Sequence, residues 1–249
     1  MDSGIKMLGS SMTYLKEKLD TASNNVSNLD TPGYKKDTVI GRSFGTVLSD
    51  ALESRITKGY NLGQFYNRPG VYVDEVFTDF IQGAMEQTED PWDVAIQGDG
   101  FFTIDTDIGP LYKRSMSMRK DLAGFLVTDT GDRVVGQNGQ IFIGDNDPHI
   151  EEDGTIRVDG QVVDRLNVVD FGNREGMQKA ENGAFTGGGG MVQATGALMQ
   201  GFLESSNVEL SEEMTNLIEI SNKFTTNQKL IQMLDGVNNI SSNRLGKVR

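Results

Sequence analysis

The sequence predicts a mainly β protein with terminal α-helices: a central antiparallel β domain plus a discontinuous, coiled-coil-like helical region built from both chain ends. Three observations carry this expectation. Apolar residues recur at helical spacing from Ile5 to Leu29, and a second helical pattern follows Ser206. Between them, short β-rich runs alternate with Gly, Asp and Asn turns. The resulting segments are an N-terminal helix and turn (1–35), a linker with local structure (36–80), a central β domain (81–186), a Gly-rich return (187–205) and a C-terminal helix (206–249).

Ile5, Leu8, Met12, Leu15, Leu19, Ala22, Val26 and Leu29 are separated by gaps of 3, 4, 3, 4, 3, 4 and 3, an unbroken a/d heptad. A helix of that length runs roughly 37 Å at 1.5 Å per residue. So narrow a stripe suits a partner helix better than a broad globular core; packing on the chain's own domain is the other reading. The helix ends in "SNNVSNLDTPGYK", Ser23 to Lys35, where asparagines form helix poorly and a Pro-Gly turn stops it. Those amides lie on the faces beside the seam.

The linker contains "SFGTVLSDALES", read as a short helix. "DVAIQGDGFFTI", "GFLVTDTGDRVV", "QIFIG" and "GTIRVDGQVVDRLNVVDF" read as strands, with Asp159-Gly160 in a two-residue hairpin turn. Gly187 to Gly190 read as a break before the chain returns to the helical end. There, Ser206 and Glu209 have capping-box spacing, and Glu212 and Glu213 favour a helix N-terminal half. Leu210, Met214, Leu217, Ile220, Phe224, Ile231 and Leu234 continue at mostly helical spacing, interrupted by Asn227 and Gln228. Polar residues in such seams weaken an isolated pair but specify register, so both ends are expected to order fully only among partners.

Thirty-six acidic against 23 basic residues give a formal charge of −13, which opposes binding to nucleic acid or anionic membrane and points to protein partners. The absence of cysteine excludes disulfide scaffolds, zinc ribbons and thiol nucleophiles. The N-terminus has no basic segment followed by an apolar run, so it does not read as a signal peptide, and no later stretch approaches a membrane span.

Asp129-Thr130-Gly131 matches the aspartic-protease triplet, whose chemistry needs two carboxylates sharing a proton. One copy is present, so a dimer must supply the second, and the same residues suit a hairpin turn. The acidic runs at 105–109 and 144–154 offer oxygen ligands but complete no calcium loop. "QGDGFF" lacks the Gly-Lys-Ser/Thr of a phosphate loop. His149 is the one histidine, and no Gly-x-Ser-x-Gly elbow accompanies it. Catalytic, metal and cofactor sites are therefore all expected to be absent.

Three stretches, in order, resemble one family: "LDTASNNVSNLDTPGYKK" (19–36), "VDEVFTDFIQGAMEQTEDPWDVAIQGDGFFTI" (73–104) and "MQGFLESSNVELSEEMTNLIEISNKFTTNQKLIQ" (199–232). They are similar to the flagellar basal-body rod and hook proteins. The resemblance implies a noncatalytic subunit exported through the flagellar type III apparatus and polymerised into the axial structure of the basal body, with its terminal helices forming the inner tube. Implied partners are copies of itself, other rod and hook subunits and the export apparatus, with neither nucleic acid nor membrane insertion. Hook proteins carry a further large β domain for which 170–199 leaves no room, so a rod component is favoured. A hook-type subunit is the alternative within the family; a hydrolase built on Asp129 and a surface adhesin are alternatives from other classes.

Under that reading, assembly falls to the seam residues Leu8, Met12, Leu15, Leu19, Val26, Leu217, Phe224 and Ile231. Asn24, Asn25 and Asn28 supply hydrogen bonds to neighbours, and Pro32 and Gly33 set the exit turn.

Overall fold

The computed structural model describes residues 2–43, 70–107, 109–144 and 146–245, and the chain divides into two compact units. Apart from Ser43, the short helix expected in "SFGTVLSDALES" lies outside the described residues, as do Ile108 and Asp145 of the acidic runs.

The first unit comprises Met1–Val26, Asp37–Phe77 and Glu209–Arg249. Its helices are α1 (Asp2–Ser27) and α2 (Leu210–Leu245), and its strands β1 (Asp37–Ser43) and β2 (Val71–Thr78) pair as a two-stranded ribbon. The heptad closes inside the chain. Leu15, Ala22 and Ile220 are buried in one cluster, with Leu19, Leu217 and Phe224 packed against it. Burying each large side chain is worth roughly 1.5–3 kcal/mol, so this seam, rather than helix propensity, holds the pair. Asn227 Nδ2 donates to Ser11 Oγ at 3.2 Å, a polar layer that sets the register of two antiparallel helices.

Two helix boundaries differ from the sequence reading. Leu29 lies past the end of α1, and α2 starts at Leu210 rather than near Ser206. The Ser206 hydroxyl accepts from the Val208 N–H at 3.3 Å in a local turn, and the first helical bond runs from the Glu213 N–H to the Glu209 carbonyl at 3.0 Å. Short hydroxyl side chains stabilise such turns as readily as helix caps, which displaces the start.

The second unit comprises Ser27–Lys36 and Thr78–Val208. Its strands are β3 (Met85–Gln87), β4 (Asp93–Gln97), β5 (Phe101–Thr106), β6 (Gly109–Lys113), β7 (Ser115–Lys120), β8 (Leu126–Thr128) and β9 (Arg133–Gly136). They continue with β10 (Gly139–Gln140), β11 (His149–Ile150), β12 (Thr155–Val158), β13 (Gln161–Arg165), β14 (Val168–Lys179), β15 (Phe185–Gln193), β16 (Ala197–Gln200) and β17 (Phe202–Glu204). The main sheet runs β14-β15-β6-β5-β9-β8-β7-β4-β16, with β10 on β9; β11-β12-β13 and β17-β3 form smaller sheets. Ile96, Phe102, Ile104, Leu126, Val134 and Ile156 anchor the larger core. The expected hairpin is present, with Val158 opposite Gln161 and φ of 51° and 78° at Asp159 and Gly160.

The glycine run does not break the chain. Gly187 to Gly190 lie within β15, paired to β14, and a further β14–β5 pairing closes β5, β6, β15 and β14 into a small ring of strands. Phe101, Tyr112, Phe171 and Phe185 fill that ring, with Tyr112 and Phe171 edge to face at 4.8 Å. The Phe171 ring lies directly over Gly188, where a Cβ would come within 2.5 Å of it. Strand glycine is tolerated because an aromatic ring covers the bare backbone.

Candidate assembly surface

Unit by unit, the residues read from the sequence as assembly contacts turn out to be placed very differently. In the helical unit, Leu15 is buried and Leu8, Met12, Leu19, Val26, Leu217, Phe224 and Ile231 are half-buried. Asn25 is only 1% exposed, and its amide closes a ring with Asp37: Nδ2 donates to the Asp37 carbonyl at 2.9 Å and Oδ1 accepts the Asp37 N–H at 3.0 Å. Asn24 is exposed.

What faces outward is a different set of residues on α2. Leu210, Met214 and Ile218 are exposed, as are Leu230, Met233 and Val237. At about 100° per residue, the first three lie on one flank of the inward line Leu217–Phe224–Ile231 and the second three on the other. The stripes are displaced along the axis by about 29 Å, taking 1.5 Å per residue from Met214 to Met233. Leu210 and Met214 were read from the sequence as part of the inward repeat, but lying before the point where α2 meets α1 they are exposed instead. Ile218, Leu230, Met233 and Val237 are apolar residues of α2 outside that repeat, which periodicity could have found.

In the β unit, the exit turn forms as expected. The Tyr34 N–H reaches the Thr31 carbonyl at 3.2 Å across Pro32 and Gly33, with Gly33 at φ 71°, the geometry of a type II turn. Asn28 is half-buried and its Oδ1 accepts from Thr31 Oγ1 at 3.2 Å. The turn is pinned by groups that the sequence reading missed. The Gly33 N–H donates to the Glu204 carbonyl at 2.6 Å, and Asn207 Oδ1 accepts the Lys36 N–H at 2.6 Å while its Nδ2 reaches the Asp79 carbonyl at 2.8 Å.

Beneath the turn lies a buried ion cluster. Lys35 Nζ and Glu204 Oε1 form a short hydrogen-bonded pair in which both side chains are fully buried. Lys35 also donates to the Ile81 carbonyl at 2.7 Å, and the Gly83 N–H donates to Glu204 Oε1 at 3.0 Å. Arg114 Nε reaches Glu204 Oε2 at 3.1 Å, and its other nitrogens bond the carbonyls of Gly98 and Gly100. Burial pushes the Lys35 ammonium below its usual pKa of 10.5, opposed by the Glu204 carboxylate. The sequence clue was the placement of charges inside apolar or turn segments, "GYKK" and "GFLES".

The residues weighed for chemistry are not gathered. Asp129 lies in the β8–β9 turn, its side chain 61% exposed and 4.0 Å from Lys113 Nζ. His149 is exposed on β11. Among the described residues no group of His, Asp and Glu has the arrangement of a metal site, and no helix is long and apolar enough to cross a membrane.

Comparison with known proteins matches both chain ends. A family profile described as "Flagella basal body rod protein" matches residues 5–35, and one described as "Flagellar basal body rod FlgEFG protein C-terminal" matches 199–244. The flagellar basal-body rod protein FlgG of Bacillus subtilis is 30% identical over 253 residues, covering 92% of this chain and 93% of that protein. FlgG of Buchnera aphidicola from Acyrthosiphon pisum is 30% identical over 243 residues, covering 87% and 90%. The flagellar basal-body rod protein FlgF of Caulobacter vibrioides is 28% identical over 259 residues, the whole of both chains. With the heptad ends, the Thr-Pro-Gly-Tyr turn and the intervening β unit all in the matched span, the chain belongs to the flagellar basal-body rod protein family.

Proposed function

We propose that this chain, exported through the flagellar type III apparatus, polymerises through its terminal helices with copies of itself and with other rod and hook subunits into an axial tube that transmits torque. As a flagellar basal-body rod subunit it is a structural protein of the basal body, not an enzyme. The observation that carries the assembly reading is the division of labour on α2. Its inward heptad is satisfied by α1, while two apolar stripes on opposite flanks remain exposed.

Soluble surfaces rarely keep such stripes without a use for them. The first stripe of one copy meets the second stripe of the next. Because the two surfaces are different and axially displaced, the contact is heterologous and does not close, which generates a filament rather than a dimer. Seam residues such as Leu15 and Phe224 act by holding the helix pair together, and Leu210, Met214 and Ile218 act by meeting the neighbour. Met214→Glu tests this. It is expected to abolish rod assembly and motility while leaving the monomer's helix content unchanged; assembly at the wild-type level would refute the reading.

A further inference from the structure

We infer that Lys35 is a positioning residue, which seats the Thr31–Tyr34 turn on β17 without adding net stability, whereas the Arg114–Glu204 pair beside it is what stabilises the cluster. Charge balance separates the two roles. Two cations, Lys35 and Arg114, are in direct contact with the single carboxylate of Glu204, and all three side chains are 5% exposed or less. Asp79 and Asp99 act on Lys35 and Arg114 respectively only as minor electrostatic contributions. Removing Glu204's charge strands two buried cations. Removing Lys35's charge leaves a balanced pair, still supported by the Gly83 N–H and by the carbonyls of Gly98 and Gly100.

Lys35 is thus the surplus charge, and its desolvation offsets what it gains from Glu204, in keeping with the lowered pKa. What Lys35 does supply is geometry. It joins three places far apart in sequence: its own segment, the Ile81 carbonyl and the Glu204 side chain 169 residues away. Its neighbours Gly33 and Lys36 reach the same stretch, bonding the Glu204 carbonyl and the Asn207 side chain. A methionine of similar length fills the space but dictates no such register. The well-attested use of buried ionic groups is to fix register rather than to add stability.

The test compares Lys35→Met with Glu204→Gln in the full-length chain, by thermal unfolding and by hydrogen exchange of the 27–36 peptide. Glu204→Gln is expected to lower the melting temperature by about 6–20 °C. Lys35→Met is expected to change it by no more than about 2 °C, yet to lose about tenfold or more of the amide protection at Gly33 and Tyr34. If Glu204→Gln does not fold, the two readouts on Lys35→Met decide alone. A melting loss in Lys35→Met as large as the Glu204→Gln range, or unchanged protection of the turn, overturns the inference.

Discussion

Two isoleucines two residues apart on α2 separate what holds the subunit together from what joins subunits. Ile220 is 5% exposed within the α1–α2 seam, and Ile218 is 62% exposed. Ile220→Ala removes a buried branched side chain and leaves a cavity against Leu15 and Ala22, costing about 2–5 kcal/mol. Ile218→Ala removes surface that water already reaches, so the isolated subunit changes by less than about 0.5 kcal/mol. In the filament the order reverses. If assembly covers the exposed share of Ile218, of the roughly 1.5–3 kcal/mol available to a fully buried side chain, about 1–2 kcal/mol is lost per contact, raising the critical concentration about 5- to 30-fold. Urea titration followed by helical circular dichroism reads the first effect, and sedimentation of assembled material reads the second. Equal loss of monomer stability from the two substitutions, or an unchanged critical concentration for Ile218→Ala, would refute the reasoning.

Further outcomes follow from the same structure. Asn25→Ala removes both side-chain hydrogen bonds to the Asp37 backbone and is expected to cost about 1–3 kcal/mol in urea titration and to raise amide exchange at Asp37. Phe185→Ala empties the centre of the small strand ring, where Phe185 packs on Phe101 at 5.8 Å, and is expected to cost about 3–5 kcal/mol in thermal unfolding. The carboxyls of Asp121, Asp153 and Asp99 are held below their usual 3.8, chiefly by hydrogen bonds from the Phe125 N–H, the Thr155 N–H and Arg174 respectively. A lowered folded-state pKa means that their contribution is complete above that usual value and is lost as pH falls through the lowered one. Stability is therefore expected to decline with acid below about pH 4, and Asp121→Asn to flatten that decline in urea titrations.

The heptad was legible because a sustained 3,4 repeat of apolar residues fits the helical period and no strand period. What covers it was not, since periodicity says that a face is buried and not by which chain. Leu217, Phe224 and Ile231 were read as contacts to neighbours; in the structure Leu217 and Phe224 pack on the chain's own α1, and Ile231 is half-buried further along the same line. The Thr31–Tyr34 turn was legible from Pro32 and Gly33 alone, because that geometry is local. The Lys35–Glu204 pair beneath it was not, because its partners are 169 residues apart and no spacing rule links them. Gly187 to Gly190 were misread for a related reason: glycine's poor strand propensity is a local signal, and strand pairing with Phe171 over Gly188 overrides it. Asn25 carries the same lesson in miniature, its amide serving the chain's own Asp37 backbone.

The central claim is that opposite stripes of α2 join successive subunits, and cysteine cross-linking tests it on a clean background because the chain has no cysteine. Ile218→Cys and Met233→Cys in one chain lie about 22 Å apart along the helix, beyond the roughly 7 Å that a disulfide can bridge. Any bond between them must join two copies. Oxidising rods isolated from cells that express this double variant is expected to give a ladder of covalent oligomers on a non-reducing gel; a single monomer band from intact rods would contradict the account.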